Sequence, residues 1–532
     1  MAAGVSSFPP GRSHRLRFSL SAALAVLLVI STTTAIRSAI RPGTTASASP
    51  ATAPQRPSYL VLLVLDGGRP DYLTLAHFHH LDNLIARGTQ FSNAFDGILE
   101  AETPAGHATI ATGSPPSVNG ILGFNWAQSD NQRYSIFSQS KMAPLEWMMW
   151  KSKVPTIGGR FKARFPKARV VAVSGHKYYA AAPLGGPMAD AIMYYRGGLH
   201  GRYAPTGVPG HMPPPQVLNA PGLVYPTIHL PPAKENYLAT SLALSAVNVM
   251  HPQILLINYP SFDWPVGHVF GGNLDPKRVL IDMRGFDGDL GRIEDAYRKA
   301  HILSKTLFVI TADHGMMPIT RWVPSSIVDN AIKAAGTTST NIAASTGDYI
   351  WLADRTKAQA VAQNILNAHN AGIQSVWYLD TSHKQPAYAL AGGNVASPGE
   401  NNASAFLLKT LLDGNQPTVV VFGKEGTTFT SPKTHWKADH GGSSWQSQHV
   451  PLILSGPGVR RGATIETPAQ LEDIAPTILT LMGVQPLGMS GHVLTDALLQ
   501  PAASDVARRL AERKQLWPLV AAMQKQEYAD TH

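Results

Sequence analysis

No cysteine occurs among the 532 residues. The chain therefore offers neither a disulfide nor a thiolate ligand, and any transition metal must be held by histidine and carboxylate. Charged residues are sparse, at 15%, beside 44% hydrophobic residues, a balance that excludes a disordered chain. Acid is missing altogether from residues 1–57, which carry six arginines: Arg12, Arg15, Arg17, Arg37, Arg41 and Arg56. Of the net charge of +10, only +4 is thus left for everything after residue 57. With no basic stripe and no recognised module, the sequence does not argue for nucleic-acid binding. It also lacks a repeat of solenoid period. A chain of this length buries a large core, either as one big domain with an insertion or as two or three domains.

What is present begins with a targeting segment. Arg12, Arg15 and Arg17 precede "FSLSAALAVLLVISTTTA", about one membrane thickness if helical. A removed signal peptide and a retained signal-anchor both fit residues 1–40, and both place the protein outside the cytoplasm, either free or held by an N-terminal membrane anchor. Residues 41–57, rich in Pro, Ala, Ser and Thr, read as a flexible linker.

Four apolar, β-rich runs follow: "SYLVLLVLDGG" at 58–68, "ILLINYPSFD" at 254–263, "TLFVITADHG" at 306–315 and "VPLILSGPG" at 450–458. Continuous apolar runs bounded by Gly and Pro predict parallel strands buried on both faces. Helical patterns lie between them, as in "FDGDLGRIEDAYRKAHIL" at 286–303 and "QLEDIAPTILTLMG" at 470–483. The alternation predicts an α/β sandwich with a mostly parallel central sheet flanked by helices. Ligands then bind beyond the carboxyl ends of the strands, where three of the runs place polar residues. The expected catalytic domain is 58–500, with an inserted subdomain around 316–430 and a helical tail at 501–532.

The tetrapeptide ADHG occurs twice, at 312–315 and 438–441, with flanks too different for a duplication. Together with the other strand ends it yields Asp66, Asp263, His268, Asp313, His314 and His440. Any one of these has a bland reading: an Asp after a strand is commonly a turn or cap, and a lone His is commonly structural. The cluster His77, His79 and His80 is of that kind. Six Asp and His residues at strand ends are another matter. Carboxylate oxygen and imidazole nitrogen are what zinc accepts without thiolate, and two neighbouring metals need roughly this many ligands. In "EAETPAGHATIATG", Thr103 and Pro104 have the grammar of a helix N-cap and first helical residue, with a stop at Gly113. A hydroxyl there is either a cap alone or a nucleophile placed where a helix N-terminus favours a phosphoryl anion.

At this point "VLLVLDGGRPDYL", "TPAGHATIATGSPPSVNGI", "GHVFGG", "TADHGMMP", "DHGG" and "EDIAPTILTLMG" together resemble, in order, the alkaline phosphatase superfamily, most of all its type I phosphodiesterase/nucleotide pyrophosphatase branch. The resemblance runs from about residue 58 to 500. It implies an alkaline-phosphatase-like fold, two zinc ions and a phospho-threonine intermediate on Thr103. Carried over by motif, Asp66, Thr103, Asp313 and His314 would hold one zinc, and Asp263, His268 and His440 the other. Asp439 would be a bystander, with His449 a lesser rival to His440. Asn125 matches the asparagine that hydrogen-bonds a phosphoryl oxygen, and Lys177 the lysine of a Lys-x-Arg that monoester-preferring members place after a strand.

Three departures stand out. "DWPVGH" has one residue more than the family's D-x-x-G-H, Gly106 replaces an asparagine of the nucleophile motif, and Tyr179 stands where monoester-preferring members place an arginine. A monoester dianion rewards two cations, so a small-molecule phosphodiester or nucleotide pyrophosphate is the expected substrate. A monoester or a phosphonate is the alternative. A sulfatase would need Cys or Ser at position 103. A non-catalytic exported binding protein of the same fold would not need the whole ligand set.

Overall fold

A computed structural model describes residues 56–136, 149, 152–197, 203–223, 232–391 and 396–531. The targeting segment and all but the last two residues of the linker lie outside the described residues. Among the described residues no helix is long and apolar enough to cross a membrane.

A nine-stranded sheet organises the chain. Its spatial order is Ala463–Ile465, Thr89–Phe91, Leu452–Ser455, Thr306–Thr311, Tyr59–Leu65, Ile254–Tyr259, Val170–Ser174, Ala191–Gly197 and Tyr203–Gly207. The five strands from Thr306–Thr311 to Ala191–Gly197 run parallel. Side chains alternate across a strand, and here both sets are apolar. Leu60, Leu62 and Val64 join Ile110, Ala111 and Ile478 in one cluster. Val61, Leu63 and Leu65 join Leu242, Phe286 and Leu290 in another. Helices therefore cover both faces: Thr103–Thr112, Tyr178–Gly185 and Ile474–Leu481 on one side, Pro232–Met250 and Pro276–Lys299 on the other. This is the α/β sandwich expected from the sequence.

One strand corrects the reading of the apolar runs. Leu452–Ser455 lies antiparallel to Thr306–Thr311, as does its other neighbour, Thr89–Phe91, to it. It is buried throughout like the parallel strands, and an apolar run records burial, not direction.

Residues 316–430 carry a second sheet, entirely antiparallel, in the order Ser339–Ala344, Gly347–Leu352, Val419–Gly423, Ile373–Asp380 and Ala387–Leu390. Ile350, Val419 and Val421 on one face pack under the helices Ser325–Ala334 and Ala358–Asn367. Tyr349, Trp351, Val420 and Phe422 on the other face join Phe95, Leu99 and Trp126. The Ala503–Thr531 helix adds Leu516, Leu519 and Val520 to that same cluster.

Candidate active site

Four neighbouring parallel strands end at one edge of the large sheet, and each delivers a polar side chain there. Asp66 follows Tyr59–Leu65, Asp263 and His268 follow Ile254–Tyr259, Asp313 and His314 follow Thr306–Thr311, and Lys177 follows Val170–Ser174. The turn after the first strand passes through Gly67 at φ +74°, whose N–H donates to Asp313 Oδ1 at 3.1 Å. A Cβ there would meet the Asp263 backbone at 3.0 Å, so only glycine fits between the two carboxylates. The second ADHG arrives differently. Ala438–Asp439 forms a two-residue antiparallel ladder with Met317–Pro318, just beyond the first copy. His440 consequently stacks on His314, ring centroids 3.6 Å and 16° apart.

All six candidate ligands are buried. The three histidines share one arrangement: Nδ1 of His268, His314 and His440 faces a backbone carbonyl, of Ala438, Gly315 and Ala101 respectively, at 2.8, 2.9 and 2.9 Å. Each Nδ1 must carry the proton for that bond, so in the neutral ring the lone pair is on Nε2, the atom a metal would take. His314 Nε2 and Asp263 Oδ1 are buried without a hydrogen-bond partner. Asp66, Asp313 and His314 bring one donor atom each to within 4.8 Å of one another, as do Asp263, His314 and His440. His268 Nε2 lies 3.1 Å and His440 Nε2 3.6 Å from Asp263 Oδ1. Carboxylates and neutral rings crowded together in a buried site are costly unless a cation joins them. The residues therefore fit bound metal. Asp439 also comes within 4.8 Å of His268 and His440, but its Oδ2 already accepts from Thr428 and Thr430 at 2.6 and 2.8 Å. It is anchored in place by those hydroxyls.

The Lys177 ammonium joins the two sets, 2.8 Å from Asp66 Oδ1 and 2.5 Å from Asp263 Oδ2. Burial lowers its pKa, but Asp263 and Asp66 more than offset this and hold it well above the usual lysine value. Burial raises the Asp313 carboxyl, yet the His314 and His107 rings bring it down to about 2. Burial and the stacked His314 together push His440 well below the usual imidazole range. A neutral His440 is the form that donates a lone pair.

Thr103 differs from its expected local role. The N-cap of the Thr103–Thr112 helix is Glu102, Thr103 is the first helical residue, and no side chain caps this end. The reason is geometric: Thr103 Oγ1 turns away from its own helix and donates to Asp66 Oδ1 at 3.3 Å. A threonine that does not cap is a hydroxyl aimed at the ligand cluster. Gly113 closes the helix at φ +58°.

Asn125 begins a short strand next to Phe124, whose N–H donates to Glu102 Oε2 at 2.7 Å. The loop bearing Asn125 is thereby tied to the residue before Thr103. Tyr179 packs edge-on against Phe124, ring centroids 5.2 Å apart, and its ring centroid lies 6.0 Å from the Lys177 ammonium. Burial pushes its hydroxyl up to about 12. Tyr179 thus borders the cluster.

Several residues around the cluster were not among those expected from the sequence. Asn258 donates to Asp66 Oδ2 at 2.8 Å and faces His107 Nε2 at 3.1 Å, while Ser174 donates to Asn258 Oδ1 at 2.6 Å. His107 in turn holds the Thr103 carbonyl through Nδ1 at 2.8 Å. The available signal was a lone amide inside "ILLINYP", a polar residue in an otherwise apolar strand. His449 is not brought to the cluster; its Nε2 bonds the Ser92 carbonyl at 2.8 Å and its ring stacks on Trp445. His80 pairs with Glu294 and His77 with Asp82, also outside it.

The model of the type I phosphodiesterase / nucleotide pyrophosphatase family matches residues 60–444. The chain belongs to that family. Alkaline phosphatase PhoK of Sphingomonas sp. is 28% identical over 296 residues, which are 44% of this chain and 50% of that protein, so the match spans half of the relative's length. The fold is shared with crystalline alkaline phosphatase PafA (TM-score 0.65, 17% identity) and with murine ectonucleotide pyrophosphatase / phosphodiesterase 5 (TM-score 0.56, 15% identity). Each of these covers 84% of this chain and 100% of the other.

Proposed function

We propose that the chain is an exported hydrolase of phosphodiesters or nucleotide pyrophosphates, acting at a two-zinc site through a phospho-threonine on Thr103. The observation that carries this reading is the Thr103 hydroxyl: it gives up the capping role to face Asp66, at the edge of a buried cluster of histidines and aspartates whose rings are held through Nδ1. Asp66, Thr103, Asp313 and His314 would hold one zinc, and Asp263, His268 and His440 the other. Zinc bound there would supply positive charge that lowers the hydroxyl pKa and offsets charge on the phosphoryl oxygens.

The chain's own groups do the rest. Asp66 orients Thr103 Oγ1, and His107 fixes the carbonyl of the same residue. An ammonium has three N–H groups; Lys177 spends two on Asp66 and Asp263, and the third serves a phosphoryl oxygen. Asn125, on the loop tied down by Glu102, donates to another, a side-chain dipole aimed where charge develops. The oxygen–phosphorus bond to Thr103 forms as the bond to the departing arm breaks; the threonine proton passes to solvent and the departing oxygen takes one from it. Water then cleaves the phospho-threonine, releasing the phosphorylated product and restoring the hydroxyl.

Tyr179 in place of a second cation favours the singly charged diester. Murine ectonucleotide pyrophosphatase / phosphodiesterase 5, crystallised in an inactive form with AMP, supports a nucleotide in this fold. A monoester substrate is the second reading, favoured by Lys177 and by the alkaline phosphatase relatives. The test is Thr103→Ala. It should lower turnover of p-nitrophenyl diesters by orders of magnitude and leave Tm nearly unchanged, because no cap bond is lost; Thr103→Ser should retain measurable activity. Wild-type turnover in Thr103→Ala would refute the assignment.

A further inference from the structure

Two tryptophans stand at the rim of the cluster. The turn from Asp263 to His268 is one residue longer than the family's usual spacing, and Trp264 occupies it with 43% of its surface exposed. Trp436, half-buried and reaching in from the second ADHG loop, lies against His268 with ring centroids 3.8 Å apart. The two indoles meet edge-on at 6.3 Å, and Trp264 is 6.2 Å from the His268 ring. A single exposed apolar side chain is ordinary. A pair of indoles at the mouth of a buried ionic cluster presents a π surface to whatever enters it.

The side of the cluster matters. The indoles flank Asp263 and His268, whereas the Thr103 hydroxyl is on Asp66. The Lys177 ammonium separates the two, touching Asp66 with one N–H and Asp263 with another. Attacking and leaving oxygens lie roughly in line across phosphorus. An arm displaced by Thr103 therefore leaves on the Asp263 side, toward the indoles.

We propose that Trp264 and Trp436 seat the departing arm of the ester and select aryl or nucleobase-bearing leaving groups over alkyl ones. The inference rests on Thr103 being the nucleophile; it does not depend on the ester being a diester. Trp436 is unsuited to a clean test because its removal uncovers His268, so Trp264 carries it. Compare kcat/KM for methyl phenyl phosphate and methyl 2,2,2-trifluoroethyl phosphate in wild type, Trp264→Ala and Trp264→Phe. The methyl arm is constant, and intrinsic leaving-group reactivity cancels when each variant is divided by wild type. Stacking on an aromatic side chain predicts a loss of about 10-fold for the phenyl ester in Trp264→Ala, less than about 2-fold for the trifluoroethyl ester, and recovery of most of the loss in Trp264→Phe. Equal losses for both esters would mean that Trp264 only shields the cluster, and no loss would mean that the arm leaves elsewhere; either overturns the proposal. If wild type turns over neither diester, the diester reading has failed, and the same comparison on phenyl phosphate and ethyl phosphate decides the aromatic seat independently. The binding readout is competitive inhibition by free phenol, which Trp264→Ala should weaken by a similar factor; an unchanged inhibition constant counts against the seat.

Discussion

Gly106 lies on the first turn of the helix that begins at Thr103, and it is the point where that helix touches the first ADHG. A Cβ built at 106 would be 2.3 Å from the Asp313 carbonyl oxygen and 2.8 Å from Asp313 Cβ. That is about 1 Å inside ordinary contact. Neither neighbour can yield by a rotamer change, since the first is backbone and Asp313 Oδ1 is held by the Gly67 N–H. Gly106→Ala must therefore push the helix from Asp313 by most of that distance. Thr103, three residues away on the same helix, moves with it relative to Asp66 and Lys177. A reacting group misplaced by about 1 Å can cost about 100-fold in turnover. The stability change is smaller, because overpacking costs about 1–3 kcal/mol while Ala gains up to about 1 kcal/mol over Gly in a helix. The assay is kcat/KM for bis-p-nitrophenyl phosphate beside a thermal melt. Expected is a loss near two orders of magnitude with Tm lowered by a few degrees. Full activity in Gly106→Ala would show that helix and Asp313 are not rigidly coupled and would remove the reason for glycine there.

Three further expectations follow from the site and from the second sheet. Dialysis against a chelator should abolish turnover and lower Tm, since unpaired buried donors lose the cation that joins them; Zn²⁺ should restore both, with two zinc ions per chain by elemental analysis, and full activity without metal would refute the metal assignment. Tyr179→Arg should raise the monoester-to-diester ratio of kcat/KM by about 10- to 100-fold, the worth of one charge-assisted hydrogen bond to a dianion; an unchanged ratio would place Tyr179 off the phosphoryl group. Asp348, buried in Gly347–Leu352 with one carboxyl oxygen unpartnered, is raised to about 8 by burial and by Asp329. The folded chain then keeps a proton that the unfolded chain loses near pH 4, so stability present at low pH is lost as pH rises toward about 8. Asp348→Asn should melt higher than wild type at about pH 8.5 and close to it at about pH 4, and parallel Tm profiles would contradict the burial argument.

The parts of this molecule that were legible in the sequence are those whose environment is uniform along the chain. A strand covered on both faces must be apolar at every position, so "YLVLLVL" and "TLFVIT" announce themselves, and the polar residue that ends each run marks the sheet edge. Direction is not encoded in such a run, which is why Leu452–Ser455 was misjudged. Thr103 was displaced by one position because Thr-Pro has the grammar of a cap, whereas here the hydroxyl finds a better acceptor in Asp66, distant in sequence. Asn258 and Ser174 were invisible for a related reason. Their roles come from strands being adjacent, and one residue cannot report which strand it will lie beside.

The ladder that pairs Met317–Pro318 with Ala438–Asp439 has a consequence for how the molecule comes together. It closes the whole 319–437 excursion into a ring whose two ends sit side by side, and His440 reaches His314 only once that ring is shut. Loop-closure cost grows slowly with length, so the excursion can lengthen or shorten with little thermodynamic effect while its ends stay clamped. Contacts between residues far apart in sequence are also slow to form. Asp66 lies 247 positions from Asp313, and His314 lies 126 from His440, so both halves of the candidate ligand cluster are long-range contacts that wait on the sheet and the ladder alike.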